Sequence, residues 1–129
     1  METLPITGYK KLIVYQKSKD LVLLVYRITS SYPKSEIYSL VDQMRRAAIS
    51  VPANVIEGYS KESSAEYARF LTISIGSLTE LEFFIGLSLD LKYLDLDSSN
   101  KANVLIYEVK RLLYGCRKAA RLRGGKDKW

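Results

Sequence analysis

The chain has 129 residues, of which 47% are hydrophobic and 26% are charged, and it contains only three prolines and seven glycines. These totals indicate one globular domain with a core of its own and favour a few long helices. The single cysteine excludes an internal disulfide and indicates a reducing compartment, and the absence of histidine removes the side chain that most often titrates near neutral pH.

The start of the sequence, Met1 followed by Glu2, lacks the basic and then apolar pattern of a signal peptide. The longest apolar runs, such as residues 21–26, are too short to cross a bilayer. We therefore expect a cytoplasmic protein with no membrane partner.

The net charge of +6 is concentrated near the C-terminus. Residues 117–128 hold six cationic side chains against the single carboxylate of Asp127. The cationic residues are Arg117, Lys118, Arg121, Arg123, Lys126 and Lys128. The remainder of the chain is nearly neutral, so the basic C-terminal end is the feature that requires an explanation.

We predict a short N-terminal arm over residues 1–8, a four-helix bundle over 9–122 and a basic flexible tail over 123–129. The first helix is predicted over 9–31, before Pro33. One stripe at heptad spacing comprises Val14, Ser18, Leu21, Val25, Ile28 and Tyr32, and an adjacent stripe comprises Leu12, Tyr15, Lys19, Val22, Tyr26 and Thr29. The apolar arc is therefore wider than a peripheral helix of a monomer requires.

The second helix is predicted over 36–59, with Ser35 as its N-cap. Its apolar face comprises Ile37, Leu40, Val41, Met44, Ala47, Ala48, Val51, Val55 and Ile56. Pro52 is expected to bend this helix without breaking it. Gly58 is expected to end it in a left-handed conformation.

The third helix is predicted over 64–91, starting at a capping box formed by Ser63 and Glu66. Its stripe comprises Tyr67, Leu71, Ser74, Leu78, Leu81 and Ile85, flanked by Phe70 and Phe84. The small residues Ser74, Gly76 and Ser77 are expected to face Ala47 and Ala48, with close packing compensating for the glycine.

The fourth helix is predicted over 99–122, after a loop over 93–100. Its stripe comprises Ala102, Leu105, Val109, Leu112, Cys116 and Ala119, with the alternating steps of three and four that suit knobs-into-holes packing. Four long helices with short turns predict an all-α, antiparallel up-down-up-down bundle.

The run over residues 43–58, Gln-Met-Arg-Arg-Ala-Ala-Ile-Ser-Val-Pro-Ala-Asn-Val-Ile-Glu-Gly, resembles the signature of a bacterial four-helix bundle family. That family was first met as open reading frames in intervening sequences of 23S rRNA genes. Further agreement lies in Tyr9, Leu12, Val14, Tyr15 and Gln16, in Tyr32, Pro33, Glu36 and Leu40, and in residues 66–71 and 76–82. The resemblance covers roughly residues 9 to 120.

The resemblance implies a four-helix protomer that assembles into a closed ring of five. It also implies a relationship to a basic accessory protein that works with the reverse transcriptase of diversity-generating retroelements and contacts nucleic acid. Most other members of the family have no assigned activity.

A second group of polar residues is interpreted as structural or as part of an interface between subunits. It comprises Arg45, Arg46, Asn54, Glu57, Arg69 and Glu80. Within it, Arg45, Arg46 and Glu80 are hypothesised to fix the register of helices or subunits. The alternative is an acid–base site of arginines and carboxylates at a subunit interface, which lacks a group that titrates near neutral pH.

No catalytic residue, metal site or cofactor is predicted. Without histidine, the Glu-x-x-His pair of di-iron bundles is absent, and no glycine-rich phosphate loop of standard spacing is present. Cys116 lies on an apolar stripe and is interpreted as a core residue. The ten tyrosines are interpreted as packing and interface groups more than as a base-stacking platform.

The function that we expect from the sequence is that of a non-enzymatic homo-oligomer, a homopentamer, which binds RNA or DNA through a rim formed by the basic C-terminal ends. For Arg117, Lys118 and Arg121, compensation of the helix dipole is an equally weighted explanation. The alternative function is a protein–protein scaffold or adaptor, including an accessory to a reverse transcriptase, with no direct contact to nucleic acid.

Overall fold

Four long α-helices make up the protein in the computed structural model, which describes residues 8–123. They are α1 (Ile13–Thr29), α2 (Leu40–Tyr59), α3 (Ser64–Asp90) and α4 (Leu96–Leu122). Short 3-10 helices over Gly8–Lys11 and Lys34–Glu36 precede α1 and α2. The described residues contain no strand, so the all-α class is confirmed. Most of the predicted arm and the predicted tail from residue 124 onward, including Lys126 and Lys128, lie outside the described residues.

Each helix packs against its neighbours in sequence, and α4 returns to pack against α1. The diagonal pairs α1–α3 and α2–α4 have no Cα atoms within 8 Å of one another in residues 8–123, so the helices occupy the four corners of a square around one core. The largest fully buried side chains of this core include Leu21 of α1, Met44 of α2, Tyr67 of α3 and Leu113 of α4.

The predicted stripe of α3 is confirmed, since all six of its members are buried. The stripe of α4 is only partly right. Its buried residues are Ser99, Ala102, Ile106, Val109, Leu113 and Ala120, whereas the predicted Leu105, Leu112 and Cys116 are half-buried and Ala119 is exposed. Apolar residues occupy two neighbouring positions at several turns of this helix, so the sequence pattern fits two stripes and only contact with α3 and α1 selects one.

The roles predicted for two glycines are wrong. Gly58 lies inside α2 and is buried, and among the described residues only Gly8 and Lys92 have a positive φ. Gly76 is exposed, and a Cβ added there would meet nothing within 4 Å. The close approach lies at Gly58 instead, where an added Cβ would stand 2.8 Å from Phe70 Cβ and 3.0 Å from Tyr67 Cδ1. Gly58 therefore allows α2 and α3 to approach near the loop that joins them.

The helix starts follow from side-chain caps. Ser63 Oγ accepts a hydrogen bond of 3.1 Å from the backbone N–H of Glu66, which confirms the predicted N-cap of α3. Asp95 accepts a bond of 2.7 Å from the backbone N–H of Ser98, so α4 begins at Leu96, three residues before the predicted start. Ser35 caps nothing, because it lies within the 3-10 helix Lys34–Glu36 and α2 begins only at Leu40.

Pro52 lies within α2, which continues on both sides of it, as predicted. Close to this point, the buried Ser74 Oγ donates a hydrogen bond of 2.8 Å to the carbonyl oxygen of Val51. The neighbouring Ser50 and Ser77 hydroxyls are 2.7 Å apart. The small residues Ser74 and Ser77 of α3 therefore contact α2 through their hydroxyl groups, whereas Gly76 takes no part in this contact.

One helix of the described chain, α3, is long and apolar enough to cross a membrane by length and composition alone, with a mean hydropathy of 1.5. The core helix of a helical bundle meets the same criterion. Here α3 contacts both α2 and α4, and its predicted stripe is buried against them.

Candidate nucleic-acid interface at the end of α4

The last turns of α4 carry several cationic side chains in a part of the sequence that is poor in carboxylates. After Glu108 the sequence has no acidic residue until Asp127. Lys118, Arg121 and Arg123 are exposed and Arg117 is half-buried. None of Arg117, Lys118 and Arg121 forms an ion pair within residues 8–123. By contrast, Lys110, which lies two turns before Arg117 in α4, pairs with Glu82 of α3 at 3.0 Å. The charges of Arg117, Lys118 and Arg121 are therefore not paired with any carboxylate among the described residues.

Arg117 is held in place by two contacts. Its Nη1 donates a hydrogen bond of 3.2 Å to Thr72 Oγ1 of α3, and its Cζ lies 4.8 Å from the centre of the Tyr114 ring. The first contact fixes the guanidinium at the seam between α3 and α4. The second is a cation–π interaction that couples it to the preceding turn of its own helix.

An open cavity of about 340 Å³ lies at this end of α4. It is lined by Tyr114, Arg117, Lys118, Arg121 and Leu122. Tyr114 is 46% exposed and Leu122 is 80% exposed. The cavity therefore combines the apolar surfaces of Tyr114 and Leu122 with three cationic side chains. Arg123 follows as the C-cap, where its backbone N–H bonds to the carbonyl oxygen of Ala120.

A second cationic cluster lies at the first turns of α3. The Phe70 ring has the Lys61 ammonium 5.4 Å from its centre and the Arg69 guanidinium 4.5 Å from its centre. Each of these cations also has a carboxylate partner, Lys61 with Glu57 at 3.5 Å and Arg69 with Glu66 at 3.2 Å. The cluster is therefore nearly neutral, and the end of α4 remains the more strongly cationic surface.

The residues predicted to be structural do not form one group. Arg45 bridges two helices, because its Nε donates to Thr29 Oγ1 at 3.0 Å and its guanidinium lies 4.4 Å from the centre of the Tyr26 ring of α1. Asn54 Nδ2 donates to the carbonyl oxygen of Ser50 at 2.8 Å and to its hydroxyl at 3.0 Å. Asn54 thereby supports the serine that meets α3.

Three other members of that set pair with residues only three or four positions away in the sequence. Arg46 pairs with Asp42 at 2.9 Å with its side chain 75% exposed, Glu57 pairs with Lys61, and Arg69 with Glu66. Glu80 is exposed and has no polar partner among the described residues. Within the protomer, a bridge between helices is thus found for Arg45 and not for Arg46 or Glu80.

The sequence reasoning missed Thr72 and Tyr114. The signal for Tyr114 was present, since a tyrosine three and four residues before two cations places all three side chains on neighbouring turns. Thr72 could not be found from sequence, because its contact with Arg117 depends on the register of α4 against α3.

Apart from the cations at the end of α4, the side chains to consider are those that could act as a nucleophile, an acid, a base or a metal ligand. Burial raises the pKa of the Cys116 thiol, which opposes formation of a reactive thiolate. Burial also raises the pKa of Tyr67. Within residues 8–123 there is no group of three or more cysteine, aspartate or glutamate side chains that could hold a metal ion.

The described chain is a four-helix, all-α protein whose most distinctive surface is a cationic helix end. The family described as 23S rRNA-intervening sequence protein matches residues 10–115. The chain belongs to this family, which confirms the resemblance seen in residues 43–58.

A solved structure with the same fold is a protein of unknown function from the S23 ribosomal protein family of Bacteroides thetaiotaomicron VPI-5482. The two chains are 21% identical and superpose with a TM-score of 0.75, over 82% of this chain and 96% of the other. No curated protein matches this chain.

Proposed function

We propose that the protein is a non-enzymatic, cytoplasmic homo-oligomer that binds RNA or DNA through the cationic ends of its α4 helices. The observation that carries this proposal is the absence of any ion pair of Arg117, Lys118 and Arg121 with a described carboxylate, at the end of a helix with no acidic residue after Glu108. Uncompensated cations on successive turns suit the phosphates of a polyanion. Compensation of the helix dipole accounts for part of this charge but does not require so many cations.

The topology that we propose for the protomer is the antiparallel up-down-up-down bundle. Contacts between α2 and α3 support it, because residues with higher numbers in α2 contact residues with lower numbers in α3. The contacts are Met44 with Ser88, Ser50 with Ser77, and Val51 with Ser74. The contacts of α4 with α3 follow the same rule, with Lys110 near Glu82 and Arg117 near Thr72. In this topology the end of α4 lies beside the start of α3.

The assembly that we propose is a ring of five protomers, as the family resemblance implies. A ring needs a heterologous interface, in which two different patches of the same chain meet. One suitable patch is an apolar groove of about 270 Å³ between α1 and α2, lined by Tyr15, Lys19, Val22, Ile49, Pro52, Ala53 and Ile56. These α1 residues belong to the second apolar stripe of that helix, whose members Tyr15 and Val22 are only partly buried against the core.

The other suitable patch is the outer face of α4. Val104 is 68% exposed and Tyr107 is 64% exposed, and both point away from the core residues Ile106 and Val109. Large exposed apolar side chains at helical spacing are typical of a surface that packs against a partner. Native mass spectrometry tests the ring directly. A pentamer is expected, and a monomer at micromolar concentration would exclude the assembly without affecting the proposed binding of nucleic acid.

Filter binding of a labelled RNA and a labelled DNA, at low and at moderate salt, tests the nucleic-acid function. We expect retention at low salt, a steep loss with added salt and little dependence on base sequence. The double variant Lys118→Ala, Arg121→Ala is expected to weaken binding and to reduce the salt dependence. A matched control is Lys34→Ala, Lys92→Ala, which removes two exposed cations near the loops at the start of α2 and after α3. Absence of retention at low salt would exclude the proposal.

The second candidate function is a scaffold or adaptor for another protein, including a reverse transcriptase. The apolar groove between α1 and α2 favours it, since such a groove also suits an amphipathic helix of a partner. Truncation after Leu122 separates the two functions, because only binding of nucleic acid should weaken when Arg123 and the cations that follow are removed.

A further inference from the structure

We propose that the cavity at the end of α4 is a pocket for one unpaired nucleobase, so that the protein prefers single-stranded over double-stranded nucleic acid. This inference rests on the proposed binding of nucleic acid and specifies the class of ligand. It departs from the general interpretation of the tyrosines as packing groups, because Tyr114 is 46% exposed and lines this cavity.

The first argument is the orientation of the Tyr114 ring. The Arg117 guanidinium lies 4.8 Å from the ring centre and so covers one face, and Arg117 is itself held by the bond to Thr72. Arg117 therefore supports one face of the Tyr114 ring, and part of the remaining ring surface is exposed. Stacking on an aromatic ring is available to every base, which agrees with the absence of sequence preference expected from an electrostatic interface.

The second argument is the composition of the cavity. Its volume of about 340 Å³ is sufficient for a planar base, and Leu122 supplies a second apolar surface. Lys118 and Arg121 lie four and seven residues after Tyr114, on the same side of the helix at a rise of about 6 Å and about 10 Å. Both cations therefore lie to one side of a base stacked on Tyr114, within reach of the backbone phosphates that continue from that base.

The third argument concerns the duplex. A base within a duplex is covered by its neighbours on both faces and cannot stack on a protein ring without leaving the helix. A duplex would use only the cations of this surface. A single strand would use the cations and the ring, which predicts tighter binding of the single strand.

Fluorescence anisotropy at low salt tests the proposal with labelled 12-residue oligouridine and oligothymidine, a 12-base-pair duplex, and an abasic strand of the same length. The variant Tyr114→Ala is expected to weaken binding of both single strands about tenfold. It should leave binding of the duplex and of the abasic strand unchanged. Tyr114→Phe should retain the affinity of the wild type, since stacking does not need the hydroxyl. Equal loss for the uridine and thymidine strands is expected, because stacking on the ring needs neither the sugar 2′-hydroxyl nor the base methyl group.

The matched control is Tyr38→Ala, which removes a tyrosine that is 94% exposed, precedes α2 and lies outside the cavity. It should change none of the affinities. The proposal is overturned if Tyr114→Ala weakens the duplex as much as the single strands, or if the abasic strand is equally sensitive to it. It is also overturned if Tyr38→Ala has the same effect as Tyr114→Ala. Absence of binding by the wild type to every probe would instead exclude the proposed function as a whole.

Discussion

Gly58 of α2 and Phe70 of α3 are so close that a Cβ atom added at Gly58 would stand 2.8 Å from the Cβ of Phe70. The Cβ of Phe70 is fixed to its backbone, so rotation of a side chain cannot relieve this contact. The two helices would have to separate. The same site lies next to Tyr67, whose ring is fully buried and meets the Tyr59 ring at a centroid distance of 6.0 Å.

We therefore predict that Gly58→Ala destabilises the protein by about 1–3 kcal/mol, as expected for overpacking of a tight contact. This loss exceeds the gain of about 1 kcal/mol that alanine usually brings to a helix interior. Urea denaturation followed by circular dichroism measures the change in the free energy of unfolding.

Gly76→Ala is the matched control for this prediction. Gly76 lies inside α3, and an added Cβ would meet nothing within 4 Å. Here the helix propensity acts alone, so we expect stabilisation by about 0.5–1 kcal/mol. Equal effects of the two variants would show that packing against Phe70 does not limit residue 58.

The contrast between these glycines shows what the sequence could predict. Helical periodicity identified the four helices and six of the ten buried residues of α3, but it missed Ser64, Ala68, Ile75 and Ser88. It could not identify which glycine is needed for packing, since that depends on which turns of α2 and α3 meet. For the same reason the predicted stripe of α4 is only partly right, since Leu105 and Ile106, or Leu112 and Leu113, fit the period equally well.

The candidate site was predictable in part. The cations at the end of α4 are evident in the sequence, and the structure shows that Arg117, Lys118 and Arg121 line one cavity. Their anchoring by Thr72 was not predictable, because residues 72 and 117 are adjacent only after α3 and α4 have packed. Charge alone also suggested a register role for Arg46, which the local pair with Asp42 does not support within the protomer.

A second prediction concerns Arg45, which links α2 to Thr29 and Tyr26 of α1. Arg45→Met keeps the length of the side chain but removes the charge and the hydrogen bond. We expect a loss of about 1.5–3 kcal/mol, because hydrogen bonds to charged groups contribute that much and the Tyr26 contact adds to it. Thermal or urea denaturation measures the loss.

Arg46→Met is the control, since this side chain is 75% exposed and pairs only with Asp42 of its own helix. Its effect on stability should stay within about 0.5 kcal/mol. If both variants lost the same stability, the bridge from Arg45 to α1 would not contribute to the fold. If Arg46→Met or Arg46→Glu changed the particle size in light scattering, Arg46 would belong to a contact between protomers.

A third prediction is a dependence of stability on acidic pH through Glu36. Ser39 Oγ donates a hydrogen bond of 2.6 Å to this carboxylate and Tyr93 Oη donates one of 2.8 Å. The bonds from Ser39 and from Tyr93 hold the pKa of Glu36 below its ordinary value. The stabilisation is therefore fully present above the unfolded pKa of about 4.3 and is lost as the pH falls through the lower folded pKa.

The variant Glu36→Gln tests this dependence, because it retains an acceptor oxygen and cannot titrate. We expect it to be less stable than the wild type at pH 7, with a difference that shrinks below about pH 4. Urea denaturation at a series of pH values measures both curves. Curves that stay parallel over the whole series would show that the bonds to Glu36 do not favour its charged form.

The last prediction compares a serine that caps a helix with one that only resembles a cap in the sequence. Ser63 accepts a hydrogen bond from the backbone N–H of Glu66 at the start of α3, whereas Ser35 lies in the 3-10 helix before α2. Ser63→Ala should cost about 1 kcal/mol, since the N–H of Glu66 loses its acceptor at a half-buried position. Ser35→Ala should be neutral within about 0.5 kcal/mol, because its side chain is exposed and caps no helix. Both values come from chemical denaturation under identical conditions. A loss at Ser35 equal to that at Ser63 would mean that α2 begins earlier than Leu40 and that Ser35 is its N-cap in solution.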